Sequence, residues 1–187
     1  LVAETVETVQ KTEELVGSKV FASGNTQVWD AGRNFAGAVK IVFNGPAAAG
    51  TVVTVTYGEI LAVNGSAVNP LTSTAGQIKG GSGGPCAPEF GYQQDHVIMD
   101  DLAAGDSFVF ESQFTWHAFQ YLQIDGTASV ESVSGFPMRS AVAPVASFHA
   151  DGATAPLFDS IWTMALNTHA ANMMSIQSDC PHRERFG

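Results

Sequence analysis

Between Val20 and about Val145 the chain repeats one pattern, a short apolar or β-branched run closed by turn residues. Few architectures accept that pattern. Gln27–Asp30 is short and extended. Ala38–Phe43 is apolar and β-branched, and Asn44-Gly45-Pro46 closes it with turn chemistry. Thr51–Tyr57 alternates valine with threonine, the signature of a half-buried strand. His96–Met99, Ser107–Ser112 and Ala118–Ile124 follow as strands. The last alternates, which places Phe119, Tyr121 and Gln123 on one face and Gln120, Leu122 and Ile124 on the other. Val130–Val133 and Arg139–Phe148 add extended segments. Many short strands, regular turns and no helical period predict an antiparallel β-sandwich. Residues 64–88, with Asn64-Gly65 and Gly80-Gly81-Ser82-Gly83-Gly84-Pro85, interrupt the series as a long loop, read as a surface insertion.

The character changes at Asp151. Thr154 suits an N-cap and Pro156 the first turn of a helix. Leu157, Ile161, Ala165 and Leu166 then recur at helical spacing, which predicts a helix to about Met174. The chain thus divides near residue 150 into a mainly-β unit, 1–150, and a helical start, 151–187. One helix cannot make a domain, because helices gain most of their stability from packing. Its partner is the sandwich or further helices.

Composition narrows the function. Of 187 residues only 14% are charged while 45% are hydrophobic, the balance of a folded β-rich chain. The net charge of −10, with only 8 Lys and Arg, argues against nucleic acid and anionic membrane surfaces as partners. No apolar run approaches the roughly 20 residues of a membrane span. A neutral ligand such as a sugar remains open. The start, from Leu1, has no basic segment followed by an apolar core and reads as the start of a processed chain. Asn64-Gly65-Ser66 fits a glycosylation acceptor, a pattern common by chance. Cys86 and Cys180 are either one bridge or two free thiols. His117, His149, His169 and His182 show no metal-ligand spacing, and the glycine run lacks the ending of a phosphate loop, so no metal and no cofactor is expected.

The densest chemistry lies in Asp179-Cys180-Pro181-His182-Arg183-Glu184-Arg185-Phe186-Gly187. Taken alone, this charged run reads as a solvated tail. Yet a carboxylic acid donates a proton once burial or a neighbouring negative charge raises its pKa. Carboxylate pairs around a neutral polar substrate are also the machinery of glycoside hydrolysis.

The order of these residues resembles the catalytic-domain signature of the α-L-rhamnosidases of glycoside hydrolase family 78. Four further blocks are similar to the same family. Trp29-Asp30-Ala31-Gly32-Arg33-Asn34-Phe35-Ala36-Gly37 resembles its Asp-x-Gly-Gln-Asn-x-x-Gly element, and Tyr57-Gly58-Glu59-Ile60-Leu61 its Gly-Glu-x-Leu segment. Gln93-Gln94-Asp95 resembles its Gln-x-Asp, and Phe114–Leu122 its Phe-Thr-Trp-His-Gly-Phe-Arg-Tyr strand, with Ala118 and Gln120 departing from it. Ala171–Ser178 looks like the family's connector before the signature.

The resemblance implies a β-sandwich followed by the first helix and first active-site loop of an (α/α)6 barrel. It implies Glu184 as general acid and Asp179 and Arg183 as residues that hold rhamnose hydroxyls. It also implies inverting hydrolysis of terminal α-L-rhamnose from a rhamnose-containing glycan or glycoside. The Trp and Asp that continue the signature, and the catalytic base, are not among the 187 residues. The chain alone is therefore expected to be inactive, with the remainder of the catalytic domain or a neighbouring subunit as its partner. The other reading is a carbohydrate-binding or scaffolding sandwich without catalysis, in which Trp29, Trp116 or Tyr92 stacks on sugar rings. A secreted location is the expectation, because charge is low and the start looks processed.

Overall fold

A computed structural model of the chain describes residues 6–69 and 93–178. Nine strands of these residues form one curled antiparallel sheet: β1 (Val9–Lys11), β2 (Leu15–Val16), β3 (Ser18–Ser23), β4 (Thr26–Asn44), β5 (Val52–Gly58), β6 (Gln94–Ile98), β7 (Ser107–Glu111), β8 (His117–Asp125) and β9 (Ser129–Ser140). A helix, α1 (Ala155–Ala171), follows, and then a hairpin of β10 (Met173–Met174) and β11 (Ile176–Gln177).

The long strand β4 turns this sheet into a sandwich. Its first stretch, Thr26–Asp30, lies between β3 and β8, and its last, Lys40–Asn44, lies between β7 and β9. One leaf therefore runs β3-β4-β8-β5-β6. The other runs β7-β4-β9, with β1 and β2 paired to β9. Between the leaves sits one core cluster that takes Val39, Ile41 and Phe43 from β4, Val53, Val55 and Tyr57 from β5, Leu122 and Ile124 from β8, and Val133 from β9. Alternation along each strand puts these side chains inside, where full burial stabilises by roughly 1.5–3 kcal/mol each.

The antiparallel sandwich with one following helix matches the expectation, and the differences lie in its joints. Gln27–Asp30 and Ala38–Phe43 belong to one strand, not two. The register jumps from the pair Asp30–Tyr121 to the pair Phe35–Phe119, so four residues of β4 stand opposite Gln120 alone. Gly32, at φ +85°, takes the left-handed conformation inside that excursion. The same jump breaks the alternation of β8. Phe119 joins Leu122 and Ile124 in the core and does not share a face with Tyr121 and Gln123.

Val130–Val133 is the middle of the longer β9, and no strand continues from Ala141 to Phe148. Strands β1, β2 and the start of β3 form in a polar stretch that the apolar pattern does not mark. Helix α1 ends at Ala171, and Met173 and Met174 turn into the hairpin with Ser175 at φ 66°. Thr154 precedes α1 in helical geometry and gives it no side-chain cap. Most of the 64–88 loop and both cysteines lie outside the described residues.

Candidate functional site

Four of the motif blocks noted in the sequence, spread from Trp29 to Leu122, meet in the folded chain. The backbone N–H of Tyr57 donates to the Gln93 carbonyl at 3.0 Å. The Gln93 side chain clamps Ala118 on both sides, accepting from its N–H at 3.0 Å and donating to its carbonyl at 3.3 Å. The Asn34 amide donates to Glu59 at 2.8 Å, and Gln120 donates to Asp30 at 3.1 Å. Each bond joins two blocks. Spacing in sequence gives no hint of these pairs, because they cross between strands.

At the centre of this junction is an acid with two aromatic partners. The Tyr57 hydroxyl donates to Asp95 Oδ2 at 2.7 Å, and His117 Nε2 lies 3.4 Å from Asp95 Oδ1. Tyr57 and His117 stack with ring centroids 4.0 Å apart, and Phe119 packs against Tyr57 at 4.9 Å and Phe35 at 4.5 Å. Burial opposes ionisation of Asp95. The hydrogen bonds from His117 and Tyr57, with the neighbouring histidine charges, outweigh it and hold the carboxyl below its ordinary value. Burial, and then the Asp95 charge and hydrogen bond, push the Tyr57 phenol well above its ordinary value. An acid held in its ionised form by two donors is a poor proton donor, so this cluster is an anchor rather than acid–base machinery.

A second arrangement sets the path of the chain toward the carboxylate-rich run. Asn172, nearly buried, ends α1. Its carbonyl accepts from the Ser178 N–H at 2.9 Å, its Oδ1 accepts from the Ser178 hydroxyl at 3.2 Å, and its Nδ2 donates to the Thr168 carbonyl at 2.9 Å. The Ser175 N–H donates to the hydroxyl of Ser140, the last residue of β9, at 2.9 Å. The hairpin is thus fastened to the helix at one point and to the sandwich at another, and Asp179 follows directly after the fastened Ser178.

A third feature is a groove of about 410 Å³ between α1 and the sandwich. It lies beside the β4 excursion. Arg33 reaches across it, pairing with Glu13 and donating to Asn167 of α1 at 3.2 Å. The Nε of Arg33 is buried without a partner. Arg139 also lines the groove and makes no ion pair among the described residues. Sequence reasoning missed this groove. Its available signal was the scarcity of basic residues, together with an arginine at the position where the quoted motif has glutamine.

Asp179, Arg183 and Glu184 lie outside the described residues, as do Tyr92, His182 and the glycine run. Trp29 is 6% exposed and belongs to the core, so it is no sugar-stacking platform. Trp116 is half-buried. Among the described residues no group of three or more His, Cys, Asp or Glu side chains stands close enough to hold a metal ion. No described helix is long and apolar enough to cross a membrane.

A two-leaved sandwich that shares its longest strand, ties four motif blocks together at one junction and carries a helix at its side defines an antiparallel β-sandwich domain. Residues 21–139 match the bacterial alpha-L-rhamnosidase concanavalin-like domain, and the chain belongs to that family. A curated relative, the alpha-L-rhamnosidase of Formosa agariphila, is 26% identical over 191 residues, covering 99% of this chain and 18% of its own length. The alpha-L-rhamnosidase structure from Dictyoglumus thermophilum superposes with a TM-score of 0.77 at 22% identity, over 99% of this chain and 19% of that one. The Streptomyces avermitilis alpha-L-rhamnosidase complexed with L-rhamnose gives 0.76 at 22% identity, over 99% and 16%. The Aspergillus terreus enzyme gives 0.68 at 25%, over 96% and 19%. The chain thus spans less than a fifth of the length of these relatives.

Proposed function

We propose that the chain is part of an α-L-rhamnosidase-like glycoside hydrolase. In this reading residues 1–150 form the sandwich that supports the catalytic domain, and residues 151–187 supply the first helix and first active-site loop of an (α/α)6 barrel. The observation that carries the reading is the family match over 21–139, followed at Asp179–Gly187 by the signature-like run. Glu184 is assigned as the general acid that protonates the leaving oxygen. Asp179 and Arg183 are assigned to the rhamnose hydroxyls. The reaction inverts the anomeric centre, with a second carboxylate, contributed from beyond these residues, activating water across the sugar at the roughly 6.5–9.5 Å separation that leaves room for it. The substrate is a rhamnose-containing glycan or glycoside, and the setting is extracellular.

The fastening of Ser178 to Asn172 supports this assignment, because a loop that holds a substrate needs a fixed origin. The test is a chimera in which this chain replaces the matching stretch of the Formosa agariphila enzyme. It is expected to release rhamnose from an aryl α-L-rhamnoside. E184Q in the chimera is expected to lose about 10²–10⁴-fold in kcat. A folded chimera that works equally well with glutamine at 184 overturns the assignment. Turnover by the 187-residue chain alone overturns its dependence on the rest of the barrel.

A further inference from the structure

The groove between α1 and the sandwich is a site that the proposed reaction leaves unused. We propose that it binds a carboxylate-bearing sugar residue, a uronic acid, apart from the hydrolytic site, with Arg139 pairing the carboxylate. This deepens the glycoside reading, on which the choice of a sugar rests.

Charge points to an anion. The chain carries −10 with only 8 basic residues, yet two of these line this one groove. The one acidic residue in the lining is Glu13, which pairs with Arg33. Arg139 is half-buried and has no acidic partner among the described residues, which leaves its planar fork of donors free for a bidentate carboxylate.

The second arginine is held in place. Arg33 uses its two terminal nitrogens on Glu13 and Asn167, so its guanidinium stands as a fixed positive charge in the wall of the groove. Neutral polar groups complete the lining. Thr12, Asn34 and Asn167 present hydroxyl and amide groups suited to sugar hydroxyls, while Pro137 and Met138 give an apolar side. A volume of about 410 Å³ falls in the range of small-molecule pockets and takes one or two sugar units.

The test is a titration of the 187-residue chain with glucuronate, its methyl ester and rhamnose, followed by NMR shifts and calorimetry at low salt. Glucuronate is expected to bind at the groove, and the ester and rhamnose to bind at least about tenfold more weakly, because a charged hydrogen-bonded pair is lost. R139Q is expected to weaken glucuronate by about tenfold or more. E13Q is expected to tighten it severalfold by freeing the Arg33 guanidinium, an effect of opposite sign that damage to the fold does not produce. No binding of glucuronate, or equal binding of acid and ester, overturns the proposal. Because the titration involves no hydrolysis, its failure leaves the rhamnosidase reading standing, and failure of the chimera leaves the groove standing as an anion site.

Discussion

Tyr57 and His117 stack 16° from parallel with centroids 4.0 Å apart, and both reach the carboxylate of Asp95. The three residues come from β5, β8 and β6, so one half-buried acid ties together three strands of one leaf. Replacing Asp95 by asparagine keeps the shape and removes the charge that both partners address. D95N is expected to cost about 1.5–3 kcal/mol at neutral pH, the value of hydrogen bonds to a charged group. Circular dichroism would show this as a fall in Tm of roughly 3–10 °C for a domain of this size.

The same carboxylate shapes the acid side of the stability curve. Its native pKa lies below the unfolded value of about 3.9, so the folded state binds fewer protons than the unfolded one in that range. The stability Asp95 contributes is therefore complete above about pH 5 and is lost as pH falls through its depressed native pKa. Denaturant titrations between pH 6 and 3 are expected to show D95N losing less stability than the parent chain. Parallel curves would mean that Asp95 titrates alike in the folded and unfolded states.

Two glycines in one motif block make opposite demands. A Cβ on Gly37 would stand 2.0 Å from the Phe136 carbonyl oxygen, where β4 and β9 press together. The backbone cannot yield there without parting the strands. Gly32 has open space around it, but its φ of +85° is costly for any residue with a Cβ. G32A is expected to cost about 1–2 kcal/mol, and G37A about 3 kcal/mol or more, enough to prevent folding of a marginal domain. Thermal melts of the two variants check the order.

The strands were readable where one side chain in two faces the core, as in Val53, Val55 and Tyr57. They were misread where the backbone leaves that rhythm. Phe119 faces inward with Leu122 because the excursion around Gly32 shifts the register opposite Gln120, and no local property of β8 records an event in β4. Arg139–Phe148 is apolar enough for a strand, but strand formation needs a partner edge, and pairing of β9 with β1 ends at Ser140. The helix start was visible from Pro156. Its stop was not, because Asn172 ends it through contacts with Ser178 that lie downstream. The catalytic assignments rested on the order of residues alone, whereas the groove at Arg33 arises from segments more than 100 residues apart.

Asn172 is expected to act locally. N172A removes the side-chain bonds to Ser178 and Thr168 while the sandwich keeps every strand pairing. The global Tm is expected to move by no more than a few degrees, and the amides of residues 173–178 to exchange at least tenfold faster with deuterium, as expected for a local opening. Unchanged exchange there would show that the hairpin and the Ser140 contact hold the connector without Asn172.

Helix α1 is the least supported element. None of its 17 residues is buried, and Leu157, Phe158, Ile161, Met164 and Leu166 are all exposed. A lone helix of this length is marginal in water. Its hold on the rest of the chain comes from few contacts: Phe148 against Trp162 with centroids 5.7 Å apart, the Ala150 N–H on Asp159 at 3.1 Å, and Arg33 on Asn167. The central amides of β4 are expected to be protected near the global limit and those of α1 to exchange far faster. W162A is expected to lower helical content while leaving the melting of the sheet within a few degrees of the parent chain. If W162A instead lowers both transitions together, the helix and sandwich fold as one cooperative unit, and the few contacts named here carry more coupling than their number suggests.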